Sequence, residues 1–259
     1  MNVRPKRALG QHFLADDNIL GVIERLAELN AGDVALEVGA GLGVLTRRLA
    51  ERVAHVHAVE IDTSLEERLR SALSDRANVE LHFGDALQLD LRAFEPPPTK
   101  LVANLPYNVA TPLIVESLDG LPSLELWCVM VQREVADRLF AAPGTKEYGA
   151  VSVLVQLATE RTGLHPVART VFRPRPNVDS ALVSFRRCAE LPPGYPRLKQ
   201  VVAGAFAHRR KMLPNSLELA GIASRAEAAA ALGRIGREPA ERAEALRPDE
   251  FVALSDALR

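Results

Sequence analysis

The stretch Val34-Ala35-Leu36-Glu37-Val38-Gly39-Ala40-Gly41-Leu42-Gly43 decides the fold of this chain. A short apolar run, broken only by Glu37, leads straight into three glycines at alternate positions. Such a run reads as a strand buried on both faces. The glycine turn after it lets backbone approach a ligand closely, and the amino end of a following helix adds donors. The same character repeats outward from this unit: segments 34–38, 55–60, 78–83, 100–104 and 124–131 read as buried strands, most of them separated by amphipathic stretches. Strands covered on both faces belong to a parallel sheet, and right-handed crossovers place helices on either side. The expected fold is therefore α/β, a doubly wound, mostly parallel sheet with its ligand at the carboxyl ends of the strands.

Ile19, Leu20, Ile23, Leu26 and Ala27 recur at helical spacing behind Asp16, which predicts a capped amphipathic helix over 17–29. Pro96-Pro97-Pro98 and Pro143-Gly144-Thr145-Lys146 read as loops, and 180–185 as the last strand. Pro192-Pro193-Gly194 marks a composition break. A domain over 1–190 with an amino-terminal arm, then a small helical domain over 195–259, is expected. In the latter Val201, Val202, Ala205 and Phe206, then Ala226, Ala229 and Leu232, then Phe251, Val252 and Leu254 suit three or more short helices.

With 259 residues, 47% of them hydrophobic, the chain can bury a sizeable core. No uncharged apolar run is long enough to cross a bilayer, and the basic start lacks the apolar stretch of a leader, so a cytoplasmic monomer without membrane contact is expected. Cys128 and Cys188 fit neither a disulfide framework nor a metal spacing. The net charge of −1 hides a segregation: residues 161–211 hold eleven Lys or Arg against Asp179 and Glu190. A basic zone on an acidic remainder points to a polyanion gripped by one face, with Arg173, Arg175, Arg186, Arg187, Arg209, Arg210 and Lys211 as candidate phosphate contacts. Scattered solvated charge is the plainer alternative.

Asn104-Leu105-Pro106-Tyr107 follows the fourth buried run. An exocyclic amine on adenine is a poor nucleophile because its lone pair is spread into the ring. An enzyme that alkylates it must hold both amine protons against fixed acceptors. The Asn104 side-chain oxygen is one acceptor, the carbonyl of Leu105 or Pro106 the other, and Tyr107 offers a flat face for a base. The glycine loop does not suit a dinucleotide, since Val44 stands where the third glycine of that pattern belongs. Glu60 at the tip of the second strand can accept both ribose hydroxyls of an adenosine, and Asp85 after Phe83-Gly84 can accept from its adenine amine. For either acid alone a helix cap is the better reading; both behind such a loop point to a cofactor. His55 and His57 share one face of a strand and could mimic a metal pair, but no third ligand is evident and no metal is expected.

The loop Glu37 to Gly43 looks like the first motif of S-adenosylmethionine-dependent methyltransferases of the Rossmann-like class I type. Nearly end to end, the chain resembles the bacterial KsgA-type 16S ribosomal RNA adenine N6,N6-dimethyltransferases, which are related to the Erm resistance enzymes. The motifs are Lys6-Arg-Ala-Leu9-Gly10-Gln11-His12-Phe13-Leu14, the glycine loop, Val59-Glu60-Ile61-Asp62, Gly84-Asp85-Ala86 and Asn104 to Tyr107. Phe172-Arg-Pro174-Arg-Pro176-Asn-Val178-Asp179-Ser180-Ala181 and Phe206-Ala-His-Arg209-Arg210-Lys211 complete the set. The commonest form carries Asn where this chain has His12.

The resemblance implies S-adenosylmethionine as methyl donor, S-adenosylhomocysteine as product, and cofactor contacts from His12, Leu14, Gly39, Gly41, Glu60, Ile61, Asp85, Ala86 and Asn104. It implies catalysis by Asn104, Leu105, Pro106 and Tyr107, with the base stacked between Tyr107 and Phe172. Its partner would be 16S ribosomal RNA within the immature 30S subunit, two adjacent adenosines near the 3′ end being dimethylated. An Erm-like enzyme acting on 23S RNA and a small-subunit assembly factor are the alternatives; the amino-terminal motif and Leu105 favour the small-subunit enzyme.

Overall fold

A computed structural model of the chain describes residues 5–6, 9–14 and 16–259. Arg7 and Ala8 of the amino-terminal motif, and part of the basic start, lie outside the described residues. Two compact units result. The first holds the described residues through Ala136 together with Glu160–Arg187, and the second holds Asp137–Thr159 and Cys188–Arg259. The second unit thus takes in a segment that the composition break at 192–194 does not announce.

Among the described residues nine strands form: β1 (Phe13–Leu14), β2 (Val34–Val38), β3 (His55–Glu60), β4 (Val79–Phe83), β5 (Lys100–Asn104), β6 (Leu126–Gln132), β7 (Thr159–Val167), β8 (Phe172–Arg173) and β9 (Ser180–Arg187). Seven of them make one sheet in the order β4-β3-β2-β5-β6-β9-β7. Pairs β4/β3, β3/β2, β2/β5 and β5/β6 are parallel, while β9 runs antiparallel to β6. β2, β5, β6 and β9 are almost wholly buried, as their apolar runs require. Sequence reading misses β7 because its exposed positions carry Glu160 and Arg161, and Pro166 sits within it. A sheet edge tolerates both, since one side of that strand needs no ladder partner.

The helices are α1 (Asp17–Ala27), α2 (Val44–Ala50), α3 (Glu66–Ala72), α4 (Ala110–Gly120), α5 (Arg133–Leu139), α6 (Ala150–Gln156), α7 (Tyr195–Ala207), α8 (Leu213–Leu219), α9 (Arg225–Arg234) and α10 (Pro248–Ala257). Asp16 caps α1 as expected, its carboxylate accepting the Asn18 and Ile19 N–H groups at 2.9 and 3.2 Å. Ile19, Leu20, Ile23 and Ala27 then enter the core with Leu45, Leu49, Val56, Leu69 and Met130.

In the second unit Ser224 and Glu227 form a capping box at α9. The inward face of α9 is Ala228, Ala231 and Leu232, where the sequence suggests Ala226 and Ala229. An alanine run reads the same at several helical phases, so its apolar stripe cannot be placed from pattern alone. Tyr148 is fully buried with its hydroxyl donating to the Leu246 carbonyl at 2.8 Å, and Phe206 lies against Phe251.

Candidate active site and cofactor cleft

Strand order reverses between β2 and β5, and ligands of open α/β sheets bind at such switch points beyond the carboxyl ends of the strands. A cleft of about 1030 Å³ lies there, lined by the arm (Leu9 to Leu14), the glycine loop, Glu60, Ile61, Asp85, Ala86 and Asn104 to Val109. Gly39 and Gly41 hold φ of +85° and +58°, a region costly to side chains. A Cβ on Gly39 would meet Pro106 at 3.2 Å, and one on Gly41 would meet the Phe13 ring at 3.1 Å. The loop is therefore clasped from one side by the Asn104 tetrapeptide and from the other by the arm.

Glu60 is 4% exposed. Its Oε2 accepts the Gly41 N–H at 2.7 Å and its Oε1 the Asp62 N–H at 2.8 Å. Each oxygen retains a further lone pair, so the carboxylate braces the loop and still has acceptor capacity toward the cleft. Asp85 accepts the Leu87 N–H through Oδ1 at 3.0 Å, a capping bond that coexists with its place in the cleft wall. Ile61 and Val44 are apolar, line the cleft and are 46% and 40% exposed. Exposed apolar walls beside ribose-type acceptors fit the adenosine of S-adenosylmethionine.

Glu37 is the residue that sequence reading passed over. It lines the cleft at 2% exposure, and Oε2 has no hydrogen-bond partner among the described residues. Burial pushes its carboxyl up to about 8; the nearby Thr46 hydroxyl opposes that rise without a well-formed hydrogen bond, and the Glu60 charge adds to it. An unsatisfied buried acid in the wall of a cleft is a ready partner for a donor on a ligand.

Asn104 ends β5, and its Nδ2 donates to the His12 carbonyl at 3.0 Å. The contact at His12 thus runs through backbone, which permits the change from the commoner Asn. The His12 ring lies 5.7 Å from that of Tyr107, nearly parallel, and Nδ1–H donates to the Pro174 carbonyl at 2.8 Å. Leu105 is buried and its N–H continues the ladder to the Met130 carbonyl. The Pro106 carbonyl accepts the Val109 and Ala110 N–H groups at 3.1 Å each, so it belongs to the start of α4. Among the described residues no hydrogen bond takes the Leu105 carbonyl, so of the two backbone acceptors left open by the sequence it is the one not engaged by the start of α4. The Tyr107 hydroxyl is 2.8 Å from Ser180 Oγ, and burial holds the phenol above its usual range despite that bond.

Phe172 requires a correction. It is 2% exposed, is part of the core cluster and does not line the cleft, so it offers no face to a base here. The cause is the pairing of β8 with β1, which sets Phe172 opposite Leu14 and turns both inward. Three of the proposed phosphate contacts are also otherwise engaged. Arg187 donates to the Leu124 and Leu118 carbonyls at 2.8 and 3.0 Å and lies over Trp127. Arg209 donates to the Lys146 and Tyr148 carbonyls at 2.9 Å. Arg186 pairs with Glu28 at 2.6 Å. Arg173 and Arg175 in the first unit, and Arg210 and Lys211 in the second, are exposed and have no ion pair among the described residues.

The arm is fastened at Asp62. Lys6 Nζ and Gln11 Nε2 reach its two oxygens at 2.5 and 2.8 Å, and Ser64 donates to the first of them. Burial works against ionisation of Asp62, but the bonds from Lys6, Ser64 and Gln11 outweigh it and hold the carboxyl at about 2.

A parallel sheet with a glycine loop, a ribose-type acid and an amide-bearing tetrapeptide around one cleft defines a Rossmann-like class I methyltransferase that uses S-adenosylmethionine. The profile of the family described as ribosomal RNA adenine dimethylase matches residues 2–258, and the chain belongs to that family. The ribosomal RNA small subunit methyltransferase A of Rubrobacter xylanophilus is 49% identical over 251 residues, which are 97% of this chain and 94% of the relative. That of Geobacter metallireducens is 42% identical over 269 residues, 99% of this chain and 96% of the relative. Among solved structures, the 23S rRNA methyltransferase ErmE superposes with a TM-score of 0.66 at 31% identity, covering 95% of this chain and 99% of its own. A dimethyladenosine transferase from Plasmodium falciparum has the same fold, with a TM-score of 0.79 at 23% identity and coverage of 94% and 96%.

Proposed function

We propose that this chain transfers methyl groups from S-adenosylmethionine to the N6 amine of adenosines in small-subunit ribosomal RNA, carrying two adjacent residues near the 3′ end of 16S RNA to the dimethyl form within the immature 30S particle. The observation that carries the reading is the hydrogen bond from Asn104 Nδ2 to the His12 carbonyl. With that end of the amide committed, Oδ1 is the atom left for an incoming donor. The Leu105 carbonyl supplies the second acceptor. Two acceptors at adjacent residues match the two protons of an exocyclic amine, and holding both draws the nitrogen lone pair out of the ring. When bound, the cofactor supplies an electrophilic methyl group on a sulfonium. Tyr107 gives the base its flat support and is held in place by Ser180 and the His12 ring. Glu60, Asp85, Ile61 and Ala86 orient the nucleoside end of the cofactor, and Gly39 and Gly41 admit it to the backbone. Once methylated, the amine has one proton fewer, and a single remaining acceptor suffices for the second transfer.

The small-subunit names of the relatives support the choice of RNA. Tritiated-methyl transfer to purified 30S subunits, 50S subunits and naked 16S RNA, followed by nucleoside analysis, tests it. Dimethyladenosine in the small-subunit RNA is expected. Label confined to large-subunit RNA, or none in any adenosine, would sink the proposal.

A further inference from the structure

A second cluster of chemistry-bearing side chains sits at the opposite half of β3 from the cleft. In the parallel register His57 stands opposite Glu80 and Val59 opposite His82. Side chains two apart share a face, so His55 and His57 of β3 meet Glu80 and His82 of β4 on one side of the sheet. His55 Nε2, His57 Nδ1 and a Glu80 oxygen all lie within 4.8 Å of one another. Glu80 Oε2 is 3.7 Å from each of the two histidine nitrogens, and His82 Nε2 is 3.1 Å from His57 Nδ1.

These spacings are those of a metal shell. Zinc bonds of about 2.0–2.1 Å in a tetrahedron set ligand atoms about 3.3 Å apart, so the two 3.7 Å spacings to Glu80 need a few tenths of an ångström of closure and the histidine pair, within 4.8 Å, closes by a side-chain adjustment of up to about 1.5 Å. His57 is fully buried, and its Nε2 lies 2.8 Å from the Pro96 carbonyl. A carbonyl only accepts, so the proton is on Nε2 and the Nδ1 lone pair of the neutral ring faces the cluster. That is the support a ligating histidine ordinarily has from its second nitrogen. His55 Nε2 is buried and has no hydrogen-bond partner among the described residues. Glu80 is half exposed and gives an ion a path from solvent.

We propose that His55, His57 and Glu80 bind one divalent transition-metal ion, zinc being the best match to this nitrogen and carboxylate set, the ion replacing the hydrogen bond that His82 Nε2 donates to His57 Nδ1 in its absence. The ion would tie edge strand β4 to β3. Glu60 is three residues beyond His57, about 10 Å along the strand, so the site is separate from the methyl-transfer cleft. The competing account is an aromatic cluster, since the His82 ring stacks on Phe94 at 4.0 Å and His57 lies 4.9 Å from the same ring.

The test uses the untagged, chelator-stripped full chain, titrated with Zn²⁺ and with Co²⁺ by calorimetry and by visible absorption. One ion per chain, tetrahedral Co²⁺ bands and a rise in Tm with Zn²⁺ are expected. Glu80→Ala and His55→Ala, checked for an unchanged apo circular dichroism spectrum, should each weaken binding by about tenfold or more and abolish the Tm rise. Absence of saturable one-to-one binding overturns the proposal, as does binding that both substitutions leave unchanged; either result leaves the aromatic cluster as the account.

Discussion

One Nδ2–H of Asn104 is held by the His12 carbonyl, which fixes the amide so that Oδ1 is its acceptor for a substrate amine. Asn104→Ala should therefore lower single-turnover methylation by about 10²–10³-fold, the size of effect seen when one preorganised polar group is removed from a reacting centre; an unchanged rate would refute its role. For Tyr107→Ala methylation should fall while cofactor affinity by calorimetry stays within about threefold, roughly 0.65 kcal/mol; a collapse of that affinity would mean the ring supports the cofactor and not the base. Glu37 makes a prediction of a different kind. Its carboxyl is raised from 4.5 to about 8 in the fold, so between these values the folded chain holds a proton that the unfolded chain releases. Stability from this group is fully present below pH 4.5 and is lost as pH rises through about 8. Glu37→Gln removes that dependence, and urea melts at pH 6 and pH 8 should show the variant gaining on the parent at the higher pH. The kinds of residue at the site were legible in the sequence. Which atom each presents was not, because the answer depends on neighbours more than ninety positions away for Asn104 and on the start of α4 for Pro106.

At the scale of elements, β1 and β8 pair pieces of chain about 160 residues apart, with Phe13 opposite Arg173 and Leu14 opposite Phe172, and so seat β1 against the cleft. Strands of two residues leave no periodic signature, and this pairing is what buries Phe172 against expectation. The arm leading into β1 is held by Asp62, whose carboxyl lies at about 2, below its ordinary 3.8. A lowered carboxyl stabilises above the unfolded value and loses that contribution as pH falls from about 4 to 2. Asp62 itself is buried, but Lys6 is half exposed and solvent screens it, so the clasp is worth on the order of 1 kcal/mol. Asp62→Ala should speed amide exchange across residues 9–14 and raise the KM for cofactor several-fold, with a smaller effect on kcat. Unaltered exchange there would show that the arm is held by β1 and β8 alone.

At the scale of the whole molecule, the basic zone of the sequence divides into two kinds of cation. Arg187 and Arg209 satisfy carbonyls inside their own units, whereas Arg173, Arg175, Arg210 and Lys211 stand in solvent. Replacing Arg210 and Lys211 together by Ala should weaken binding to small-subunit RNA and reduce the salt slope of log K by about 1–2, with stability unchanged. Arg187→Ala should do the reverse, costing about 1–3 kcal/mol in a denaturant melt through its unsatisfied carbonyl partners, and leaving the salt slope alone. An unaltered slope in the double variant would remove the helical unit from the RNA interface.

Apolar runs, their spacing and the glycine loop by themselves determined the layered sheet, the carboxyl-end cleft, the cap on α1 and the chemistry of Asn104, Glu60 and Asp85, since each depends on residues within one strand-turn-helix unit. Tertiary structure alone decided what depends on distant partners. It assigned the second acceptor to Leu105, withdrew Phe172 into the core, committed Arg187 and Arg209 to carbonyls, exposed β7 at the sheet edge, and brought Glu80 and His82 to the histidine pair of β3. Local pattern records which face of an element is apolar; it does not record which face of another element will meet it.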